Sequence, residues 1–196
     1  MIAVLTGDII DSRKEDSSLW MPILEKALKL YSNKFDIFRG DSFQAEVPLK
    51  DVFYAIFYIK AALMRVKMDA RIGLGIGEKD VDALHVKHSF GSALLYSGEA
   101  FEALGKERLH IKSANVEFDG LCHVMLSLVI ELSLRWTPNM AEVVMASLLH
   151  PAMNQVEIAK SLNRKYQSQV SVELQKAAYP TVKSALDYCT AELLKL

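Results

Sequence analysis

Two aspartates, each preceded by glycine, are the residues of this chain best suited to chemistry. Asp8 follows the apolar run Ile2 to Leu5 in VLTGDIIDSR, and Asp41 lies in IFRGDSFQAEV between two β-prone segments. If those segments are neighbours in a sheet, the carboxylates face one another across its edge. Paired carboxylates with open coordination positions are what Mg²⁺ needs while it holds a nucleoside triphosphate through its phosphates. Asp11 is close enough in sequence to assist. A second reading needs no ligand: Gly7-Asp8 and Gly40-Asp41 are turn pairs, because both residue types favour turns for backbone reasons. Arg39 and Arg71 carry the same two readings, as binders of a ligand's phosphates or as partners of Asp8, Asp41 or Glu78.

The second constellation lies near the C-terminus. NQVEIAKSL puts Asn154 at a helix cap, Ile158 and Leu162 on one face, and small Ala159 where a neighbouring helix crosses closely. After a turn around Asn163, QSQVSVEL places Val170 and Leu174 four residues apart with polar side chains on the other face. This is a helix-turn-helix pattern. Its second helix is expected to offer Gln167, Ser168, Gln169, Ser171 and Glu173 to base edges, with Lys160, Arg164, Lys165 and Lys176 on phosphates. Residues 160 to 183 hold a local excess of four positive charges in a chain of formal net charge −1. The competing reading is a plain helical hairpin packed on the rest of the protein. The stretch Leu162 to Val170 is one residue longer than the most compact form of the motif, so the turn is extended.

Other reactive residue types find simpler roles. His85 and His88 are three apart with no third ligand nearby in sequence, in a stretch from Leu84 to Ser89 that reads as an exposed loop. His110, His123 and His150 are isolated in sequence and read as partly buried packing. Ser97 has glycine on one side only, so the nucleophile elbow is absent. Gly73, Gly75 and Gly77 alternate along a strand, which is neither a dinucleotide fingerprint nor a P-loop. Trp20, Trp136 and the eight methionines fall on apolar helical faces and read as core.

Positioning these residues requires a particular series of elements. Ile2 to Leu5 is a strand that stops at Thr6-Gly7-Asp8, and Leu19 to Tyr31 has the spacing of one helical face. Phe35 to Phe38 and Phe43 to Val47 form a hairpin across Arg39-Gly40-Asp41-Ser42. Leu49 to Val66 is helical, and Ala70 to Ile76 is a strand with Ile72, Leu74 and Ile76 on one side and glycines on the other, which implies close packing. Phe90 to Leu104 is helical with Gly105 as its cap, and Leu109 to Ile111 is a short strand. The order βαββαβ predicts an α+β fold of the ferredoxin-like or palm type, with helices covering one face of the sheet. From Leu121 strand signals vanish, and helices follow one another with breaks at Thr137-Pro138, His150 to Asn154, and near Asn163 and Pro180. Residues 1–120 are therefore expected to form a palm-like domain, and 121–196 an all-α domain containing the helix-turn-helix.

Composition limits the partners. The 196 residues are 51% hydrophobic and 24% charged, enough for a sizeable core and unlike collagenous or disordered chains. Balanced charge announces no global attraction to nucleic acid or membrane. Cys122 and Cys189 are too few for a disulfide framework and lack zinc-knuckle or redox spacing. The N-terminal apolar run is short and without a basic lead, and Val124 to Leu134 contains Glu131 and falls short of a membrane span. A cytoplasmic protein with no membrane partner is expected.

Four blocks resemble the catalytic domain of class III nucleotide cyclases: VLTGDIIDSR, IFRGDSFQAEV, ARIGLGIGE and FGSALLYSGEAFEAL. The resemblance implies that Asp8 and Asp41 bind the metal pair. Those cyclases also carry an Asn and an Arg on the helix led by the glycine, and Gly91 to Leu104 contains neither. The whole chain also resembles the SatD family of bacterial proteins, through TGDIIDSR, RGDSFQ, RIGLGIGE, Ser97-Gly98-Glu99-Ala100, and a tail of W-T-P followed by Q-x-E-I-A. That resemblance implies a palm-like domain joined to a C-terminal helix-turn-helix.

The combined expectation is a homodimeric DNA-binding transcriptional regulator. Its cyclase-like N-terminal domain is non-catalytic and senses a nucleotide-like or metal ligand, or dimerises. The alternatives are a Mg²⁺-dependent nucleotide enzyme with cyclase-like or nucleotidyltransferase chemistry, and an adaptor whose helical tail binds protein.

Overall fold

The computed structural model describes residues 1–83 and 85–196, so Leu84 of the expected histidine loop lies outside the described residues. Strands and helices follow the expected order: β1 (Ile2–Ile9), α1 (Ser17–Tyr31), β2 (Lys34–Phe38), β3 (Ser42–Val47), α2 (Val52–Met64), β4 (Ala70–Gly77), α3 (Ser92–Ala103) and β5 (Leu109–Lys112). Five further helices complete the chain: α4 (Val116–Ser133), α5 (Pro138–Leu149), α6 (Gln155–Ser161), α7 (Gln167–Lys176) and α8 (Tyr179–Leu193). The protein is α+β, with an open sheet in the order β2-β3-β1-β4-β5. β1 runs antiparallel to both β3 and β4, β2 is antiparallel to β3, and β5 joins β4 in parallel.

β1 does not stop at Gly7; it continues to Ile9, with Gly7 paired to both Phe43 and Ile72. A Cβ on Gly7 would lie 2.5 Å from the Phe43 ring and 2.7 Å from the Arg71 carbonyl oxygen. The glycine therefore serves close packing inside the sheet and is not a turn.

α2 reads VFYAIFYIKAALM, apolar on every side, and such a helix is stable only when surrounded. It packs against α1, α5 and α8 and against the sheet, and every residue from Val52 to Met64 except Tyr54 is buried. Its buried Lys60 donates to Asp69 at 2.6 Å and to the Ala70 carbonyl at 3.0 Å, and Asp69 also accepts from Arg108 at 3.0 Å. Burial lowers the Lys60 pKa, and the Asp69 carboxylate opposes that shift.

The sheet is not covered on one face only. α1 and α2 share the apolar face, whereas α3 lies on the opposite face, against Gly73, Gly75 and Gly77. A Cβ on Gly75 would come within 2.2 Å of both the Ala93 oxygen and the Ser97 nitrogen, so the stripe lets α3 rest on bare backbone. The connections β3–α2–β4 and β4–α3–β5 step the same way across the sheet between parallel strands but use opposite faces. They therefore have opposite hands, although one hand dominates such crossovers.

The C-terminal helices are continuous with this core. α4 packs along β5 and α8, and α5 packs on α2. Buried side chains from Ala3 in β1 to Leu193 in α8 belong to one hydrophobic cluster. Position 120, the expected division, is inside α4. Among the described residues no helix is long and apolar enough to cross a membrane.

Candidate functional site

The C-terminal constellation is assembled by α5, α6 and α7. The Asn154 side chain accepts from the Val156 and Glu157 backbone N–H groups at 2.9 and 3.1 Å, and the Glu157 carboxylate accepts from the Asn154 N–H at 2.7 Å. This reciprocal cap fixes where α6 begins. The helix ends in a Schellman motif: Asn163 adopts a left-handed φ of 54°, its N–H reaches the Lys160 oxygen at 3.1 Å, and the Arg164 N–H reaches the Ala159 oxygen at 2.8 Å. Ile158 and Ala159 are buried against Val170 and Leu174 of α7, which turns the two short helices across one another. The longer turn is thus a real feature, and an asparagine provides the bend.

The polar face of α7 is open. Gln167, Ser168 and Gln169 are exposed, while Ser171 is half-buried and lines a groove of about 810 Å³ together with His150, Gln175, Tyr179 and Lys183. Two of the expected readers have work inside the protein. Gln167 donates to Gln155, and the Gln169 side-chain oxygen accepts from the Tyr166 N–H at 3.1 Å. Ser168, Val172 and Gln175 are exposed at a spacing that puts them along one face of α7.

The expected phosphate contacts divide likewise. Arg164 is paired with Glu142 of α5 at 2.6 Å, a carboxylate that also takes Arg65 at 3.2 Å. Lys176 sits 3.5 Å from Glu173, a residue read as a base contact. Lys160 and Lys165 are exposed, with Lys165 placed 5.1 Å over the Tyr166 ring. Among the described residues no carboxylate is within ion-pair reach of either lysine. The positive excess seen in the sequence therefore reduces, on this surface, to two uncommitted cations beside the start of α7.

The N-terminal constellation gathers at one end of β1 and β3. Asp8 is the register partner of both Ser42 and Arg71, and the Ile9 N–H donates to the Asp41 carbonyl at 3.1 Å. The two aspartates are thus neighbours in the sheet, but their carboxylates have different partners. Asp8 accepts from Arg71 Nε at 3.0 Å and Nη2 at 2.5 Å, a bidentate pair that raises the Arg71 pKa chiefly through these hydrogen bonds. Asp41 accepts from the Ser12 hydroxyl at 2.5 Å and lies 3.5 Å from the Ser42 hydroxyl. Asp11 pairs with Lys14 at 3.0 Å. Mg²⁺ requires carboxylate oxygens with open coordination positions, so this arrangement does not fit the ion unless Arg71 moves away. Arg39 is exposed at the hairpin tip with a left-handed φ of 54°, next to Gly40 at 90°.

The sheet face beyond α3 is polar and internally paired. Gln44 donates to the Thr6 hydroxyl at 3.1 Å, and Thr6 and Ser97 hydroxyls lie 2.9 Å apart. Lys79 bridges Glu46 at 2.6 Å and Asp82 at 3.1 Å, and its pKa is raised chiefly by the bond to Glu46. Lys34 also pairs with Asp82, and His85 Nδ1 is 2.8 Å from Asp36. Residues 86 to 88 form a short 3-10 helix, with Val86 buried on Val4 and Ala93.

Sequence reasoning missed one grouping. His110 and His123, read as isolated, have ring centroids 5.1 Å apart and share the carboxylate of Glu107. The Glu107 to His110 spacing of three was the only local signal; His123 arrives from a different element. Comparison of the chain with protein-family models, with curated proteins and with solved structures returns no match in any of the three.

Proposed function

We propose that the protein is a DNA-binding regulator that reads duplex DNA with the exposed face of α7. The observation that carries the reading is the capped, Schellman-terminated α6 leading into an outward-facing α7, with Lys160 and Lys165 uncommitted beside its N-terminus. In a helix-turn-helix the N-terminal part of the second helix contacts base edges while neighbouring cations hold phosphates. Ser168 and Gln175 would supply hydrogen bonds, and exposed Val172 an apolar contact to a thymine methyl. Gln167 and Gln169 would have to exchange internal hydrogen bonds for base contacts, which lowers the discrimination each can give. Arg164 serves as a strut holding the turn on α5, and contributes to affinity through position.

The same reading takes residues 2–112 as a ferredoxin-like, cyclase-like module. The support is the order β2-β3-β1-β4 with β1 antiparallel to both of its neighbours, and the β2-β3 hairpin preceded and followed by crossovers through α1 and α2. Its role is to sense a nucleotide-like ligand or to dimerise, since two reading helices about one DNA turn apart, roughly 34 Å, are needed for a palindromic operator. Asp8 committed to Arg71, together with the missing Asn and Arg on α3, argues for a non-catalytic module.

Selection from random duplex DNA followed by fluorescence anisotropy at graded salt tests the proposal. Each phosphate contact contributes about −0.9 to the slope of log K against log salt, so Lys160→Ala/Lys165→Ala is expected to make that slope shallower by about 1.8. No duplex binding at moderate salt, or an unchanged slope in the double variant, would overturn the reading. Binding of a protein by the same surface without steep salt dependence would support the adaptor alternative.

A further inference from the structure

We propose that Glu107, His110 and His123 form a binding site for a divalent transition-metal ion of the zinc class. Glu107 lies in the turn between α3 and β5, His110 is the second residue of β5, and His123 comes from the second turn of α4. His110 Nδ1 is 3.3 Å from one Glu107 oxygen, and His123 Nε2 is 3.6 Å from the other. All three candidate ligand atoms lie within 4.8 Å of one another. Zinc bonds to nitrogen and oxygen are about 2.0–2.2 Å, so the edges of a tetrahedron of such ligands are about 3.3–3.6 Å. The His110–Glu107 and His123–Glu107 separations, each measured to a different oxygen of the carboxylate, are in that range.

The chemistry of the donors selects the metal. Two imidazoles and one carboxylate suit zinc, copper, nickel or iron, whereas magnesium and calcium prefer oxygen alone. Three protein ligands leave a fourth position, which is the form of a zinc site that admits water or a further ligand. Glu107 and His123 also line a groove of about 620 Å³, together with Val124, Leu128 and Leu134.

The donors are also held in place from behind. His110 pairs in register with Gly73 of β4, between buried Leu109 and Ile111. His123 follows buried Cys122 on α4. His123 Nδ1 is buried without a hydrogen-bond partner, so the Nε2 contact with Glu107 is the polar connection of that ring. Glu107 thus gathers two imidazoles, one from β5 and one from α4, at its two oxygens. A bound ion would also clamp the edge of the sheet to the first of the C-terminal helices.

The test uses the tag-free full chain, stripped with chelator and titrated with Zn²⁺ by calorimetry and by competition with a chromophoric zinc indicator. One equivalent per chain is expected. Changes one step behind metal ligands already cost 10–100-fold in affinity, so His110→Ala and His123→Ala are each expected to weaken binding by at least about a hundredfold. Circular dichroism and urea midpoints in chelator establish that the variants are folded, and His110→Gln and His123→Gln replace any that are not. Co²⁺ bound to the wild-type chain supplies a readout that needs no variant: a strong visible ligand-field spectrum, as four-coordinate sites give, is expected. Absence of binding, a weak six-coordinate spectrum, or unchanged zinc affinity in His110→Ala/His123→Ala would each overturn the proposal.

Discussion

Replacing Asp69 by alanine strands a buried cation. Lys60 has no exposed side-chain surface, and its ammonium is neutralised by Asp69 at 2.6 Å. Asp69 also caps the Ala70 N–H at 2.8 Å and pairs with the partly exposed Arg108 at 3.0 Å. Breaking a buried pair by removing one partner costs about 3–5 kcal/mol, because the remaining charge is uncompensated. Asp69→Ala is therefore expected to lower stability by about 4 kcal/mol. Lys60→Met keeps the length of the side chain and removes the charge, leaving Asp69 with Arg108 and the Ala70 N–H. Exchanging buried ions for apolar groups of similar volume is often neutral or stabilising, so this change is expected to stay within about 2 kcal/mol of wild type. The double variant should then be markedly more stable than Asp69→Ala alone, by about 2–3 kcal/mol.

Urea denaturation at neutral pH measures these differences as shifts in midpoint at constant slope. The pH dependence supplies a second signature. The folded pKa of Lys60 is lowered, with desolvation the largest cause, so over the window between that lowered value and the unfolded value of about 10.4 the unfolded chain binds more protons. Stability from this group therefore rises with pH through the window and is lost as pH falls through it, and Lys60→Met abolishes that slope. An Asp69→Ala cost below about 1 kcal/mol, or a Lys60→Met cost equal to it, would refute the reasoning.

Three other perturbations bear on how the candidate sites are positioned. Gly75→Ala would put a methyl group 2.2 Å from α3 backbone atoms and is expected to cost about 3 kcal/mol or more, whereas Gly98→Ala, with open space around it, should stabilise α3 by about 0.5–1 kcal/mol; thermal unfolding of the pair checks both. Asn154→Ala removes the cap of α6 and should cost about 1 kcal/mol, with faster amide exchange in residues 155–161 as the local readout. Trp136→Phe removes the indole N–H that reaches the Ala177 carbonyl at 3.1 Å and leaves that oxygen unpaired at the end of α7; a loss of about 1–3 kcal/mol in urea melts is expected.

Much of this architecture could be read from one chain because its signals are local. The period of apolar residues marks α1, the alternation in Ala70 to Ile76 marks β4, and Arg39-Gly40 marks the hairpin through a backbone conformation that few residue pairs adopt. The cap at Asn154 and the bend at Asn163 belong to the same class: each is settled by hydrogen bonds spanning at most five residues. Gly7 misled because its neighbours in sequence say turn, while its neighbours in space, Phe43 and Arg71, require the absence of a side chain.

What tertiary structure alone decided are questions of partnership. Local charge counts put Arg164 on a basic patch, but the fold brings Glu142 of α5 to it and leaves Lys160 and Lys165 to face solvent, whereas the Lys176–Glu173 pair is local to α7. Asp8 and Asp41 were recognisable as a pair, yet which oxygen meets which donor depended on Arg71 and Ser12 arriving from elsewhere. His110 and His123 lie on a strand and a helix whose packing alone could bring them to the same carboxylate. Elements follow from backbone preferences expressed over a few residues. A site follows from electrostatic contacts between elements, whose strength falls with distance in space and is indifferent to distance along the chain.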